Sequence, residues 1–189
     1  MARKPLYPVA DIFVNRWSSR AFSDEPITSD ELMPLFEAAR WAPSAYNEQP
    51  WRFVYTHRET KLWHELLATM IPVNQSWAKN SSILVVVLSK NFFDRTGEAS
   101  HTHTFDAGAA WMSLALQASI NGLAVHCIGG FDYDKVREIL NVPPEFKIEA
   151  MIAIGKPGTK AGLSPELQAR ETPNERKPLS EIVFEDSFV

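Results

Sequence analysis

One cysteine, Cys127, occurs in 189 residues, so no disulfide can close within the chain, and the thiol reads as a small core hydrophobe rather than a nucleophile. Long apolar runs are missing too: no stretch approaches the roughly 18 residues of a membrane-spanning helix, and MARKPLYPVA lacks the apolar centre of a signal peptide. The expected setting is therefore cytoplasmic, with no membrane partner, and the sequons beginning at Asn74 and Asn80 count as chance matches. Nor is there a basic excess. With 19 Lys and Arg against 23 Asp and Glu, the net charge is -4, which argues against a nucleic-acid partner. Any anionic ligand must be held by local arginines.

Several catalytic signatures are absent. There is no GxSxG, no P-loop and no GxGxxG. WHELLA at 63–68 begins like a zinc-protease helix, but Ala68 stands where the second histidine is required. His101, His103 and Asp106 read as a polar cap beside a helix start rather than a metal site. His126 and Cys127 are neighbours on an expected strand, so they face opposite ways and cannot form a nucleophile and base pair.

What is present is an alternation of helical and strand patterns. Val9, Ile12, Phe13 and Trp17 recur at helical spacing, and the chain then runs extended from Arg20 to Pro26. Thr28 with Glu31 makes a capping box for a helix that Pro43 must end, and Thr56 with Glu59 suggests a second box, after a strand at 51–56. ILVVVLS at 83–89 has no polar face, so helices should cover both sides of its sheet. Residues 105–122 form a nearly all-apolar helix capped by Gly122 and expected at the buried centre. Strands are expected at 123–128, 147–155 and 179–185, and the Pro- and charge-rich segment 156–178 reads as a surface arm. The expected fold is a single α+β domain over 1–189, with a mixed central sheet and helices on both faces.

Two stretches carry site chemistry. In NRWSSRAF, Arg16, Ser18 and Arg20 alternate, so an extended backbone presents two guanidiniums and a hydroxyl on one face, as a phosphate requires. A solvated basic edge is the bland alternative. In WAPSAYNEQPWRF, Pro43 and Pro50 brace the backbone while Ser44, Asn47 and Gln49 set polar groups beside Tyr46 and Trp51, a combination suited to a flat polar heterocycle. Its bland alternative is a turn whose aromatics fill the core.

RWSSRAF, ARWAPSAYNEQPWRF, IGGFD and ERKPLSEIVFE, in that order, resemble the flavin-dependent nitroreductase family over nearly the whole chain. The resemblance implies an intertwined homodimer binding one FMN per subunit at the dimer interface, with 156–189 as a C-terminal arm or strand on the partner subunit. It implies that Arg16 and Ser18 hold the FMN phosphate, that Arg20 and Asn74 meet the pyrimidine edge, and that Pro43, Ser44, Ala45 and Asn47 reach across from the partner chain. Gly129 and Gly130 would let backbone approach the ring, and an N–H aimed at N5 would direct hydride chemistry there. A cation near N1 and O2 favours the charge left by two-electron reduction, which makes Arg20 a tuning group. Arg176 matches a phosphate-binding arginine, whereas Asn174 replaces a basic residue of some members, and Lys177 is the substitute. A glutamate that some members carry at Gly129 is missing, which bears on substrate contacts rather than on the cofactor.

The implied activity is transfer of hydride from NAD(P)H, a transient donor, through FMN to a nitroaromatic, quinone or similar flat small-molecule acceptor. No protein nucleophile or metal is required. Without a Rossmann fingerprint, donor and acceptor would share one cleft in turn, giving ping-pong kinetics. The resemblance also permits a dehalogenase-like or flavin-consuming enzyme of the same fold, and a noncatalytic flavin-binding protein is the alternative from another class.

Overall fold

The computed structural model describes residues 3–188. In chain order the elements are α1 (Asp11–Asn15), α2 (Ser29–Arg40), β1 (Trp51–His57), α3 (Lys61–Thr69), α4 (Pro72–Ala78), β2 (Ile83–Lys90), α5 (His103–Ile120), β3 (Ala124–Ile128), α6 (Tyr133–Leu140), β4 (Phe146–Gly155) and α7 (Pro165–Arg170). Short 3-10 turns lie at Ala45–Asn47, Lys160–Gly162 and Leu179–Glu181.

The strands form one sheet in the order β1-β2-β4-β3, and every neighbouring pair is antiparallel. The α+β class holds, but the mixed sheet expected from the sequence is corrected to an antiparallel one among the described residues. The apolar run of β2 comes from burial on both faces, which strand direction does not determine. Leu84, Val86 and Leu88 pack against Trp63, Trp77, Val136 and Leu167 on one face. Ile83, Val85 and Val87 pack against Leu32, Leu35, Ala110 and Leu114 on the other. The alternation along β2 thus feeds two cores, one under α3, α4, α6 and α7, the other under α2 and α5.

The capping box of α2 forms as expected: the Thr28 hydroxyl accepts from Glu31 N–H, and Glu31 accepts from Thr28 N–H at 2.8 Å. The second box does not form. Glu59 takes a left-handed turn (φ 69) and Thr60 caps α3 instead, accepting from Trp63 N–H at 3.1 Å. Helix α1 stops at Asn15, before the Ser-Ser pair, because Arg16 is already extended (φ -63, ψ 129).

Three further expectations change. Helix α5 buries Ala107, Ala110, Leu114, Ala115 and Ala118 but leaves Phe105, Met112 and Ile120 exposed, so only one of its sides is core. Residues 156–178 are not all surface: Leu163, Leu167 and Glu171 are buried. The strand expected at 179–185 is a short turn, with Ile182, Val183 and Phe184 exposed. A strand at that place needs an edge to pair with, and among the described residues 179–185 pairs with no strand.

Candidate active site

The segment after α1 is pinned along its length. Ser23 N–H donates to Lys156 O at 2.9 Å, Gly158 N–H donates to Ala21 O at 2.9 Å, and a bridge joins Phe22 to Pro157. Held extended, it sends Arg16, Ser18 and Arg20 to the wall of one cavity of about 630 Å³, as the alternation predicts. Arg176 and Asn174 close that cavity from the C-terminal arm, Arg3 and Arg170 complete its positive lining, and His126 joins them as a neutral wall. Arg3 ties the two arms together by donating to Val14 O, Arg16 O and Asn174 O at 3.0, 2.9 and 2.8 Å.

Five guanidiniums therefore line the cavity with one carboxylate, Glu175, while Glu171 lies buried behind Arg20. Burial, then repulsion from Arg3 and Arg176, lowers the Arg16 pKa below its ordinary value. Burial also lowers that of Arg20, against the pull of Glu171 and with Arg170 adding to it. His126 is held down to about 4, chiefly by burial and then by Arg20, and stays neutral at physiological pH. The Arg16 guanidinium has neither a carboxylate nor a hydrogen-bond partner among the described residues. Half-buried, unpaired cations at this density are costly unless an anion joins them.

Beneath Arg20 lies Glu171, 8% exposed. Its Oε1 accepts from Ser19 Oγ at 2.7 Å, Arg20 N–H at 2.7 Å and Ala21 N–H at 3.0 Å. Its Oε2 stands 3.8 Å from Arg20 Nη1 and has no hydrogen-bond partner among the described residues.

A second group sits on the adjoining elements. Asn74 Nδ2 donates to Gly130 O at 3.2 Å, and the same carbonyl accepts from Ile71 N–H at 3.0 Å. A Cβ on Gly130 would come 2.8 Å from Asn74 Nδ2 and 2.9 Å from Ile71 Cδ1, so a side chain there would require the ends of both side chains to move. A Cβ on Gly129 would meet only Tyr133 Oη, at 3.7 Å. The two groups share Trp77 of α4, whose ring lies 6.0 Å from the Arg20 guanidinium and 4.6 Å from the His126 ring. Asn74, Gly129 and Gly130 are thus neighbours of the arginine cavity without lining it.

Pro43, Ser44, Ala45 and Asn47 do not join either group within one chain. Ala45 N–H donates to Asp106 Oδ2 at 3.2 Å, and Ser44 Oγ accepts from Gln49 N–H at 2.9 Å. Tyr46, Asn47 and Gln49 all have left-handed backbone, with φ of 51, 58 and 51, a cost that non-glycine residues bear where the surroundings impose it. This leaves the Tyr46 ring 79% exposed, edge-on to Phe93 and beneath the Arg95 guanidinium at 5.1 Å. Lys177 lies outside the arginine cavity and pairs with Glu181 at 3.6 Å. His103 Nδ1 meets Ser89 Oγ at 2.6 Å while Asp106 caps Thr102 and Ala45, so these two serve separate networks.

Arg3, Arg170, His126 and Glu171 escaped the sequence reading. None sits in a motif, and each reaches the site through chain folding from an arm, a strand or the end of α7. Only the charge density of ARETPNERK marks the region of Arg170 and Glu171 in advance.

Residues 14–72 and 59–156 match the model of the nitroreductase family, and the chain belongs to that family. A solved structure described as an oxidoreductase containing FMN superposes with a TM-score of 0.94 at 43% identity, covering 99% of this chain and 96% of its own. The oxygen-insensitive NADPH nitroreductase of Helicobacter acinonychis is 30% identical over 171 residues, 68% of this chain and 77% of that protein. A nitroreductase family protein from Streptococcus pneumoniae shares the fold, with a TM-score of 0.75 at 23% identity over 93% of this chain and 98% of its own.

Proposed function

We propose that the protein is an FMN-dependent NAD(P)H oxidoreductase that works as a homodimer and reduces nitroaromatic, quinone or similar flat acceptors. The observation that carries this reading is the half-buried, unpaired Arg16 within a five-arginine cavity, in a chain of the nitroreductase family. The cavity suits the phosphate of FMN: a guanidinium donates two parallel hydrogen bonds, and Ser18 adds a third donor. The absence of a side chain at Gly129, where an added Cβ would meet only Tyr133 Oη at 3.7 Å, suits close approach of a flat ring.

When bound, FMN supplies hydride acceptance from NAD(P)H and hydride delivery to the acceptor. The chain supplies position and charge. Arg16, Ser18 and Arg176 anchor the phosphate, and Arg20 with the Asn74 carboxamide stands toward the polar edge of the ring. The Gly129 and Gly130 backbone would let the ring approach closely on its N5 side. Lys177, which pairs with Glu181 in the single chain, is assigned to the same phosphate once the arm has docked. Pro43, Ser44, Ala45 and Asn47 close the site from the second copy, which accounts for their distance from the arginines within one chain. Donor and acceptor share the cleft in turn, so turnover is ping-pong.

Absorption spectra of purified protein titrated with FMN, followed by NADH and NADPH oxidation with a quinone, test the proposal. Flavin binding with turnover and parallel double-reciprocal lines is expected. Protein that stays colourless with added FMN overturns it, and flavin binding without turnover points to a noncatalytic flavoprotein.

A further inference from the structure

Glu171 is a buried carboxylate with a divided duty. Three donors from consecutive residues, the Ser19 hydroxyl and the Arg20 and Ala21 backbone N–H groups, converge on Oε1 within 2.7 to 3.0 Å. That arrangement fixes the backbone from which Arg20 departs. Oε2 takes no hydrogen bond among the described residues, and the nearest cation is the Arg20 guanidinium at 3.8 Å, beyond hydrogen-bond reach. Arg20 is thus attracted without being captured, and its five N–H donors remain available to the cavity. Helix α7 ends at Arg170, and its buried Leu167 anchors the turn that delivers Glu171, so the carboxylate comes from an element packed in the core.

From this geometry we infer that Glu171 is a positioning residue that aims Arg20 at the cavity and offsets part of its positive charge there. The inference rests on the assignment of Arg20 to the polar edge of bound FMN. In a half-buried site a unit charge a few Å away is weakly screened, so the carboxylate opposes the stabilisation that Arg20 gives to charge on the ring. Glu171 therefore sets the reduction potential lower than Arg20 alone would set it.

The test is the midpoint potential of FMN-loaded full-length protein in four forms: parent, Glu171→Gln, Arg20→Ala and the double variant. Glutamine keeps an oxygen to accept from Ser19, Arg20 and Ala21, so the expected result is a folded protein with FMN affinity within about fivefold of the parent. Its potential is expected to be more positive, Arg20→Ala more negative, and the effect of Glu171→Gln is expected to vanish in the Arg20→Ala background. Ser19→Ala, which loses a hydrogen bond and keeps the charge, is expected to leave the potential where it was. An unshifted potential in Glu171→Gln beside a shifted one in Arg20→Ala overturns the role of Glu171 alone. If neither moves, the placement of Arg20 falls as well. A Glu171→Gln shift that persists without Arg20 also overturns the inference, and so does failure of that variant to fold, which would make Glu171 a purely structural group.

Discussion

Arg16 is the side chain through which the anion site is most directly tested. It is half-buried, has no partner among the described residues, and is repelled by Arg3 and Arg176. Its replacement by alanine is expected to weaken FMN binding about ten- to hundredfold, because charge-assisted hydrogen bonds contribute about 1.5–3 kcal/mol. Fluorescence titration measures this, and an unchanged affinity would remove Arg16 from the phosphate site. His126 makes a separate prediction about pH. Its pKa falls from an ordinary 6.5 to about 4, first through burial and then through Arg20. The native state keeps His126 neutral while the unfolded chain binds a proton below about pH 6.5, so stability is complete above that value and declines toward pH 4. The loss is on the order of 3 kcal/mol at most. Urea midpoints at pH 7 and pH 4.5 should differ less for His126→Gln than for the parent; equal differences would reject the assignment. Arg16, Ser18 and Arg20 were legible in the sequence because the period-two alternation of an extended chain is local. Glu171 and His126 were not, since their hydrogen-bond partners lie 107 or more positions away in sequence.

Helix α4 shows the same divide among elements. Nothing in PVNQSWA has a strong helical period, and the helix exists because Pro72 can start it and Trp77 buries beneath it. Its Asn74 is held by the Gly130 carbonyl, so α4 and the turn after β3 form one unit. Gly130→Ala should displace the ends of Asn74 and Ile71, with a Cβ 2.8 Å from Asn74 Nδ2 and 2.9 Å from Ile71 Cδ1, and by weakening the Asn74–Gly130 hydrogen bond should cost about 0.5–1.5 kcal/mol. Gly129→Ala, whose Cβ meets only Tyr133 Oη at 3.7 Å, should stay within about 0.5 kcal/mol in flavin-free protein. Thermal unfolding of both variants decides the matter, and equal shifts would contradict it. The glycine pair was visible in the sequence, but which glycine packs against protein and which faces open space follows only from the approach of α4. The capping boxes carry the same lesson: Thr28 and Glu31 form one because a helix starts there, whereas Thr56 is still within β1 and pairs with Leu84 of β2 instead of opening α3.

A single chain leaves apolar surface uncovered in three places. Leu6, Tyr7, Val9 and Phe13 are exposed near the N-terminus, Phe105, Met112 and Ile120 along α5, and Ile182, Val183, Phe184 and Phe188 on the C-terminal arm. Patches of this kind mark an interaction surface, and the proposed second copy covers them. Sequence patterning reported the apolar character of α5 and of LSEIVFE, but it placed α5 at the buried centre although Phe105, Met112 and Ile120 are exposed, because an apolar composition does not say which side of a helix its own chain covers. The arm makes the strongest test. Val183 is 63% and Phe188 81% exposed, and fully burying a large apolar side chain is worth about 1.5–3 kcal/mol. A chain ended at Pro178 keeps Arg176 and Lys177 but loses those contacts twice over in a two-fold dimer. It is expected to sediment as a monomer at micromolar concentration and, on the proposal that Ser44 and Asn47 reach the arginine cavity from the second copy, to lose FMN affinity together with the dimer. If the shortened chain kept the sedimentation coefficient expected for two copies, the arm would not be the dimer clamp. If it were monomeric yet bound FMN as tightly as the full chain, the site would be complete within one subunit, and the crossing role assigned to residues 43–47 would fall.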